Sequence, residues 1–423
     1  MYKKLKPKSE FVRNVLTLMT GTTIAQALPI AVSPILTRIY EPKDFGLMAL
    51  FFAITSIFGS IANARYELAI MLPKKDEDAI NIVALGIIIT TFISTLLMAI
   101  IFFYNAELTA LLNNKEISFW LYFIPITVFF MGLFNVLNYY NTRKKKYKDI
   151  AVATVMKSVT STLLQLVIGL LKKGATGLIV GQICSHIVAN FKLINNIIKD
   201  KLLISKISQK SIIRVAKEYQ KFPKYSMLGA LSNTLAIQLT NIIMSFMYNI
   251  TTLGFYSLTQ KVLGIPATLI GKSINQVFYQ KATEEKNNTG KAILILNATT
   301  KKLVVIGLPF FAILFLIIEE LFAFVYGEEW RIAGQYARIV IPFYFIKFVV
   351  SSVSYITSIF GELKFALIWQ LLLLFLSVSI YYISYSFSYS FEKVLFIYTV
   401  VLSIHYIFLY IVFRRIATNG KII

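Results

Sequence analysis

The sequence is poor in charge, in acidic residues and in cysteine. Only 15% of its 423 residues are charged, against about 25% in a typical soluble protein. The chain therefore lacks the polar surface that a water-soluble protein of this length needs. Its single cysteine, Cys184, excludes an internal disulfide framework and a thiolate metal cluster. We interpret Cys184 as a small buried hydrophobe.

Catalytic and cofactor motifs are also missing. The sequence contains no GxxxxGK[ST] phosphate loop, which excludes a built-in ATPase, and no HExxH or Cys/His cluster that would hold a metal. The loops between the apolar blocks are too short to form a separate catalytic domain. The carboxylates of Glu328 and Glu329 are adjacent in the chain, so they cannot act as an acid/base pair on opposite sides of a bond. We therefore predict a transporter rather than an enzyme, with no cofactor and no metal site.

Long apolar blocks dominate what is present. Hydrophobic residues make up 57% of the chain, and the mean hydropathy is +0.69. A membrane-spanning helix needs about 20 mostly apolar residues. The sequence predicts an all-α integral membrane protein with about 12 spans, near 14–36, 46–72, 80–104, 117–138, 150–171, 175–196, 223–248, 252–278, 292–318, 333–358, 364–384 and 391–413.

The basic residues predict how the chain is oriented in the membrane. The net charge of +23 comes from Lys and Arg in short loops, and one set of alternating loops holds roughly four times as many as the other. This pattern is typical of membrane insertion, and we do not expect nucleic-acid binding. Both termini are predicted to be cytoplasmic, and the basic N-terminus is interpreted as leading into an uncleaved first span.

The spans fall into two sets of six. We predict that segment 197–222 is a cytoplasmic linker between lobes 1–196 and 223–423. It can be an amphipathic helix on the membrane surface or a plain basic connection. A shift of 208 residues without gaps aligns the first span of each lobe, with Gly21 on Gly229 and Tyr40 on Tyr248. An even number of spans between the copies makes the repeat parallel. The two lobes should be related by a pseudo-two-fold axis along the membrane normal, with a site between them.

Polar residues recur at helical spacing on several spans. Such stripes can simply be hydrogen-bonding contacts between helices, but that reading leaves the cations in the spans unexplained. The eighth span carries Lys261 and Lys272 and contains no acid. We interpret the stripes as the wall of a hydrated cationic cavity, with the candidate substrate-binding residues Gln26, Ser33, Asn63, Arg65, Gln238, Asn241, Lys261 and Lys272.

Arg65 and Glu67 lie inside the second predicted span. A charge near the bilayer centre costs roughly 2.5–3.5 kcal/mol on insertion scales. Arg65 can line a hydrated cleft, or it can extend to the cytoplasmic headgroups. On a continuous helix Glu67 would point to a different face and be a poor partner for Arg65. Glu67 is a gating or coupling candidate, and Pro29 and Pro34 in the first span are candidate hinges.

Five stretches stand out in order along the chain. They are RYELAIMLPKKDEDA from Arg65, GATGLIVGQI from Gly174, FPKYSMLGALSN from Phe222, LGFYSLTQKVLGIPATLIGKSINQVFYQKATE from Leu253 and GEEWRIAGQYARIVIP from Gly327. Together they resemble bacterial polysaccharide transporters, the lipid-linked oligosaccharide flippases of the multidrug/oligosaccharidyl-lipid/polysaccharide exporter superfamily.

The resemblance implies two six-helix lobes around a central cavity in a bacterial inner membrane. It implies alternating access that carries an undecaprenyl-pyrophosphate-linked oligosaccharide, such as an O-antigen or capsule unit, to the outer leaflet. It also suggests partnership with the polymerase and chain-length proteins of the same pathway. The resemblance carries over a functional role only for Arg65 and the surrounding RYELAI segment, whereas the roles of Lys261, Lys272 and the polar stripes are inferred from their positions.

Two other functions are compatible with the topology. A drug or cation antiporter of the same superfamily should have an acidic cavity, whereas this one is predicted to be basic. A membrane-embedded glycan polymerase or scaffold would differ from a flippase in where single repeat units accumulate.

Overall fold

The structure is a computed structural model that describes residues 10–171, 174–267 and 271–421. By its backbone contacts the chain divides into two compact units, unit 1 (Met1–Thr234) and unit 2 (Leu235–Ile423). The helices of unit 1 are α1 (Glu10–Ile39), α2 (Pro42–Ile61), α3 (Asp76–Leu111), α4 (Ile117–Leu121), α5 (Ile124–Arg143), α6 (Tyr147–Leu171), α7 (Thr176–Ile198), α8 (Lys201–Ile204) and α9 (Gln209–Glu218).

The boundary between the units falls within a helix, α10 (Met227–Met247), which a π-helical turn (Phe222–Ser226) precedes. The remaining helices of unit 2 are α11 (Ile250–Pro266), α12 (Lys272–Thr289), α13 (Ile293–Tyr326), α14 (Arg331–Ser351), α15 (Ile356–Phe360), α16 (Leu363–Ser386) and α17 (Phe391–Asn419). The predicted limits of the lobes at 196 and 223 remain a prediction.

The predicted all-α membrane fold is confirmed. Within the described ranges, eleven helical segments are long and apolar enough to cross a bilayer. They are Thr17–Ile39, Pro42–Ile61, Asp76–Leu111, Ile117–Arg143, Tyr147–Leu171, Thr176–Ile198, Phe222–Met247, Ile293–Tyr326, Glu328–Phe360, Lys364–Ser386 and Phe391–Asn419. The eighth predicted span corresponds to α11 and the start of α12, on either side of 268–270, which lie outside the described residues.

The internal repeat is visible in the positions of the helix ends. Helix α1 ends at Ile39 and α2 begins at Pro42, whereas α10 ends at Met247 and α11 begins at Ile250. Adding 208 to 39 and 42 gives 247 and 250, so the shift inferred from the sequence aligns both helix breaks to the residue. The first two helices of each unit therefore share one pattern of helix and break.

The linker between the predicted lobes folds onto unit 1. Its helix α9 is amphipathic, and the Ser208 side chain caps it by accepting a hydrogen bond from the backbone N–H of Ser211 (3.3 Å). Val215 on its apolar face is fully buried in the core of unit 1 beside Tyr66. Protein side chains therefore cover the apolar face at Val215, whereas Ile213 on the same helix is 49% exposed, and a position of α9 on the membrane surface remains a prediction.

Two hydrogen bonds secure the chain just before α9. The Asn81 side chain donates to the Lys206 carbonyl (3.1 Å), and its oxygen accepts from the backbone N–H of Ser208 (3.0 Å). Asn81 is itself buried, so these bonds form away from water. The linker is held to α3 at defined points, although its outer face is basic and exposed.

Replacing Val215 by Asp should release α9 from unit 1, because the substitution buries an unpaired carboxylate. We expect faster trypsin cleavage at Lys210, Arg214 and Lys217 in the detergent-solubilised protein, measured by mass spectrometry. The matched control is Ile213→Asp, since Ile213 lies on the same helix and is 49% exposed. Equal cleavage rates in both variants would contradict the packing described here.

Candidate functional site

The chain breaks its helix directly before the charged motif. Helix α2 ends at Ile61, and a short 3-10 helix (Tyr66–Met71) follows. Ala64 (φ 47°) and Arg65 (φ 64°, ψ 12°) both adopt left-handed backbone conformations. Such residues cost about 1–3 kcal/mol each and persist only where the surroundings hold them. The prediction of one continuous span over 46–72 is therefore wrong, because the helix ends at Ile61.

Asn63 holds this break in place from inside unit 1. Its side-chain amide donates to the Thr90 hydroxyl (2.7 Å) and to the Gly132 carbonyl (3.1 Å). The Thr90 hydroxyl in turn donates to the Gly86 carbonyl (2.8 Å). Asn63 is only 2% exposed. In this conformation its amide joins α3 and α5 to the break. Such hydrogen bonding between helices was the alternative to substrate binding in the sequence analysis.

Glycine permits the close approach that this network needs. A Cβ atom on Gly132 would lie 2.6 Å from Cγ2 of Thr90 and 3.0 Å from Cβ of Ala62. Both distances are too short for ordinary contact, so a larger residue would separate α5 from the break. The absence of a side chain at 132 is thus part of how Arg65 is positioned.

Arg65 and Glu67 form an ion pair, contrary to the expectation that they would be poor partners. Arg65 Nη1 lies 3.2 Å from Glu67 Oε1, with side-chain exposures of 30% and 3%. The expectation failed because it assumed helical geometry, whereas the left-handed turn brings the two side chains to one side. Burial raises the pKa of the Glu67 carboxyl above its ordinary value, and the Arg65 guanidinium acts in the opposite direction.

The pair leaves hydrogen-bonding capacity unused. Nε of Arg65 and Oε2 of Glu67 are buried and have no hydrogen-bond partner among the described residues. Buried polar groups are usually hydrogen-bonded, so the unpaired N–H of the Arg65 guanidinium, whose side chain is otherwise partly exposed, is unusual. This pair is the clearest candidate in unit 1 for a group that changes partner during function.

The 3-10 helix after Arg65 is anchored at both ends. Arg143 donates to the Ile70 carbonyl (3.1 Å) and forms an ion pair with Asp76 (2.8 Å), which Lys144 also contacts (2.7 Å). The Tyr66 hydroxyl donates to the Ala216 carbonyl in α9 (2.9 Å). The motif that carries Arg65 is therefore tied to α5 and to the linker helix.

The two prolines of α1 free backbone carbonyls that serine hydroxyls then satisfy. A proline removes the hydrogen bond to the carbonyl four residues earlier, which is Ala25 for Pro29 and Ile30 for Pro34. The Ser158 hydroxyl donates to the Ala25 carbonyl (2.7 Å), and the Ser33 hydroxyl donates to the Ile30 carbonyl (2.7 Å). Ser33 is buried and in this conformation serves the helix itself. Pro29 and Pro34 remain candidate hinges, and Gln26 lies half-buried on the same helix.

Unit 2 carries the other predicted site residues on α10, α11 and α12. Asn241 donates to the side-chain oxygen of Gln238 (3.2 Å), and Asn241 is buried while Gln238 is half-buried. Lys261 is exposed on α11, and Lys272 is the first residue of α12. The structure thus joins Gln238 and Asn241 into one amide pair.

The chain matches the profile of a polysaccharide biosynthesis protein family over residues 35–335. This match covers more than half of the 423 residues. The chain belongs to the polysaccharide biosynthesis protein family. The resemblance inferred from the five motifs is thereby confirmed. No curated protein sequence matches the chain.

Solved structures show which fold this family member has. The chain is similar to the lipid II flippase MurJ in an inward closed conformation, with a TM-score of 0.74 and 13% identity over 96% of this chain and 90% of that one. It is also similar to an inward-facing multidrug resistance MATE transporter of the MOP superfamily, with a TM-score of 0.64 and 14% identity over 94% of both chains. A Vibrio cholerae MATE transporter gives 0.58 at 14% identity over 97% and 96%. At these identities the likeness establishes the fold.

Sequence reasoning missed the break that defines the site in this family member. Glycine is the residue that usually adopts a left-handed backbone conformation. Here Ala64 and Arg65 occupy the left-handed positions. The useful signal was Asn63, since a short amide in an apolar run needs partners inside the protein. The repeat supplies a second signal, because subtracting 208 from 272 gives 64. Lys272 therefore occupies the position equivalent to Ala64, one residue before the equivalent of Arg65.

The contribution of the ion pair to stability can be tested by comparing a single variant with a double variant. Arg65→Ala leaves the Glu67 carboxylate buried and unpaired, and we expect it to lower stability by about 1–3 kcal/mol. Arg65→Ala combined with Glu67→Gln should recover most of that loss, because no buried charge remains. Thermal unfolding of the detergent-solubilised protein measures both changes. A double variant no more stable than Arg65→Ala would show that the pair has no such structural role.

Proposed function

We propose that the protein is a flippase for an oligosaccharide linked to undecaprenyl pyrophosphate. It carries the repeat unit from the cytoplasmic to the outer leaflet by alternating access of the two lobes. The observation that carries the proposal is Arg65, a partly exposed cation held at a helix break. In the second unit, the sequence repeat supplies Lys272 at the position equivalent to Ala64, next to the equivalent of Arg65.

The chemistry of the candidate residues suits this substrate. A guanidinium binds phosphate oxygens through parallel hydrogen bonds, and a lysine contributes a mobile positive charge. Among the described residues, the Nε of Arg65 has no hydrogen-bond partner. Lys261 and Lys272 supply the further cations that a pyrophosphate requires. Part of the sugar recognition is assigned to the amides of Gln238 and Asn241, because sugar hydroxyls both donate and accept hydrogen bonds.

The Arg65–Glu67 pair provides a means of coupling binding to movement. A pyrophosphate that engages Arg65 competes with Glu67 for the guanidinium. Glu67 would then be left buried without its partner, a state that costs free energy unless it takes up a proton or the segment rearranges. The burial that raises its pKa favours protonation. Pro29 and Pro34 are the proposed hinges for the rearrangement of α1.

The proposal includes a location and partners. The protein is assigned to the bacterial inner membrane with both termini in the cytoplasm, as the distribution of basic loops indicates. Its substrate would be made by glycosyltransferases at the cytoplasmic face. It would be passed on to the polymerase and chain-length proteins of the same pathway, for O-antigen, capsule or a related polymer.

Removing the cations should stop transport without preventing membrane insertion. We expect the variant Arg65→Ala/Glu67→Gln/Lys261→Ala/Lys272→Ala to lose surface glycan and to accumulate lipid-linked single repeat units inside a deletion strain. Glu67→Gln keeps the fold free of an unpaired buried acid. The matched control is Lys301→Ala, an exposed lysine of α13, which should restore display. Normal surface glycan in the quadruple variant would overturn the proposed site.

The same strains distinguish the other two functions. A polymerase defect would let single repeat units reach the surface, whereas a flippase defect keeps them inside. A drug antiporter would change drug resistance in the deletion strain and leave the lipid-linked pool unaltered. Either of those results would replace the flippase proposal.

A further inference from the structure

An apolar groove in unit 2 ends at two lysines. It has a volume of about 600 Å³, and its walls are formed by parts of α11, α12, α13 and α14. Pockets that hold small ligands span about 300–1,000 Å³, so this groove is large enough for a lipid chain segment. Of the predicted transport residues whose side chains the structure describes, none lines it.

The two ends of the groove differ in character. Helices α12 and α13 form a hairpin whose turn contains Gly290 with φ 74°. Lys281 lies eight residues before the end of α12, and Lys302 lies nine residues after the start of α13. At 1.5 Å per residue both lysines lie about 12–14 Å from the turn. Ile274 and Phe310 lie farther along the two helices and line the apolar part.

The lysines are available to bind an anion. Among the described residues, neither Lys281 nor Lys302 takes part in a hydrogen bond, an ion pair or a ring contact. The nearby acids do not line the groove. Glu284 accepts a hydrogen bond from Gln280 (3.0 Å), and Glu285 caps α13 by accepting from the backbone N–H of residues 294 and 295 (3.0 and 2.8 Å).

The length of α13 places the lysine end near the membrane surface. With 34 residues the helix is about 51 Å long, whereas the hydrocarbon core of a bilayer is about 30 Å thick. About 21 Å of the helix then lies outside the hydrocarbon, and the cost of burying the charge of Lys302 places this excess at the first turns. Lys281 and Lys302 then lie at the depth of lipid headgroups, where lysine side chains reach phosphate. Thr299 at the same end offers a hydroxyl.

We propose that this groove binds an anionic phospholipid of one leaflet. The phosphate lies between Lys281 and Lys302, and an acyl chain follows the apolar wall past Ile306 toward Phe310. A free phospholipid is favoured over the substrate's carrier lipid because the lining includes none of the proposed substrate-binding residues whose side chains the structure describes. The inference is independent of the flippase proposal, since it concerns a lipid that remains bound and is not transported.

Native mass spectrometry of the full-length protein with added phosphatidylglycerol tests the phosphate contact. Each lysine near a membrane surface contributes about 1 kcal/mol, or about fivefold in affinity, so Lys281→Gln/Lys302→Gln should weaken binding about 25-fold. Lys301→Gln is the matched control, because Lys301 is exposed on the same helix and does not line the groove. Equal binding by both variants, or equal affinity for phosphatidylcholine, would overturn the proposal.

A second pair of variants tests the chain contact. Ile306→Trp should fill the groove and reduce lipid retention, whereas Val305→Trp should not. Both positions are exposed (70% and 62%), and only Ile306 lines the groove. Size-exclusion elution checks the fold of each variant. Unchanged retention in Ile306→Trp would overturn the proposal. Stronger binding of undecaprenyl phosphate than of phosphatidylglycerol would also overturn it, by assigning the groove to the carrier lipid.

Discussion

The structure depends on one constraint, which is that a polar group inside a bilayer has no water to bind. Every backbone N–H and C=O that leaves its helical partner must find another within the protein. The carbonyls freed by Pro29 and Pro34 accept hydroxyls from Ser158 and Ser33. The break after α2 is held by Asn63, whose amide donates to the Gly132 carbonyl. The irregular parts of unit 1 therefore occur where polar side chains replace the missing hydrogen bonds.

The same constraint explains where charge is found. Arg65 is kept at the end of a helix, paired with Glu67 and partly exposed, so its charge is not left in hydrocarbon. Arg143, Lys144 and Asp76 form a further group of ion pairs beside it. In the proposed function such a cation exchanges its protein partner for a phosphate, because both partners present anionic oxygens to the guanidinium. This exchange links the fold of the motif to the proposed function.

The two pairs of lysines in unit 2 are assigned their roles on different grounds. The proposed role of Lys261 and Lys272 follows from the sequence repeat, in which Lys272 is equivalent to Ala64. Lys281 and Lys302 belong to the α12–α13 hairpin and adjoin an apolar groove. Positive charge alone does not distinguish these roles. An apolar wall beside a cation favours a lipid, whereas amides and hydroxyls favour a sugar.

The sequence by itself determined the class of the protein, most of its spans and its family. Those properties depend on composition and on periodic patterns that a bilayer imposes on every residue of a span. The shift of 208 inferred from the sequence also aligns the α1–α2 break with the α10–α11 break. Several details of the site were not predictable. The left-handed turn at Ala64 and Arg65 lacks glycine, and the pairing of Arg65 with Glu67 follows from that turn.

The burial of α9 likewise required the partner surface around Val215. An amphipathic helix has the same sequence pattern whether lipid or protein covers its apolar face. Tertiary structure decided these points because each depends on atoms that are distant in the chain. Asn63 needs Thr90 and Gly132 to hold the break, and no local pattern specifies that the three will meet.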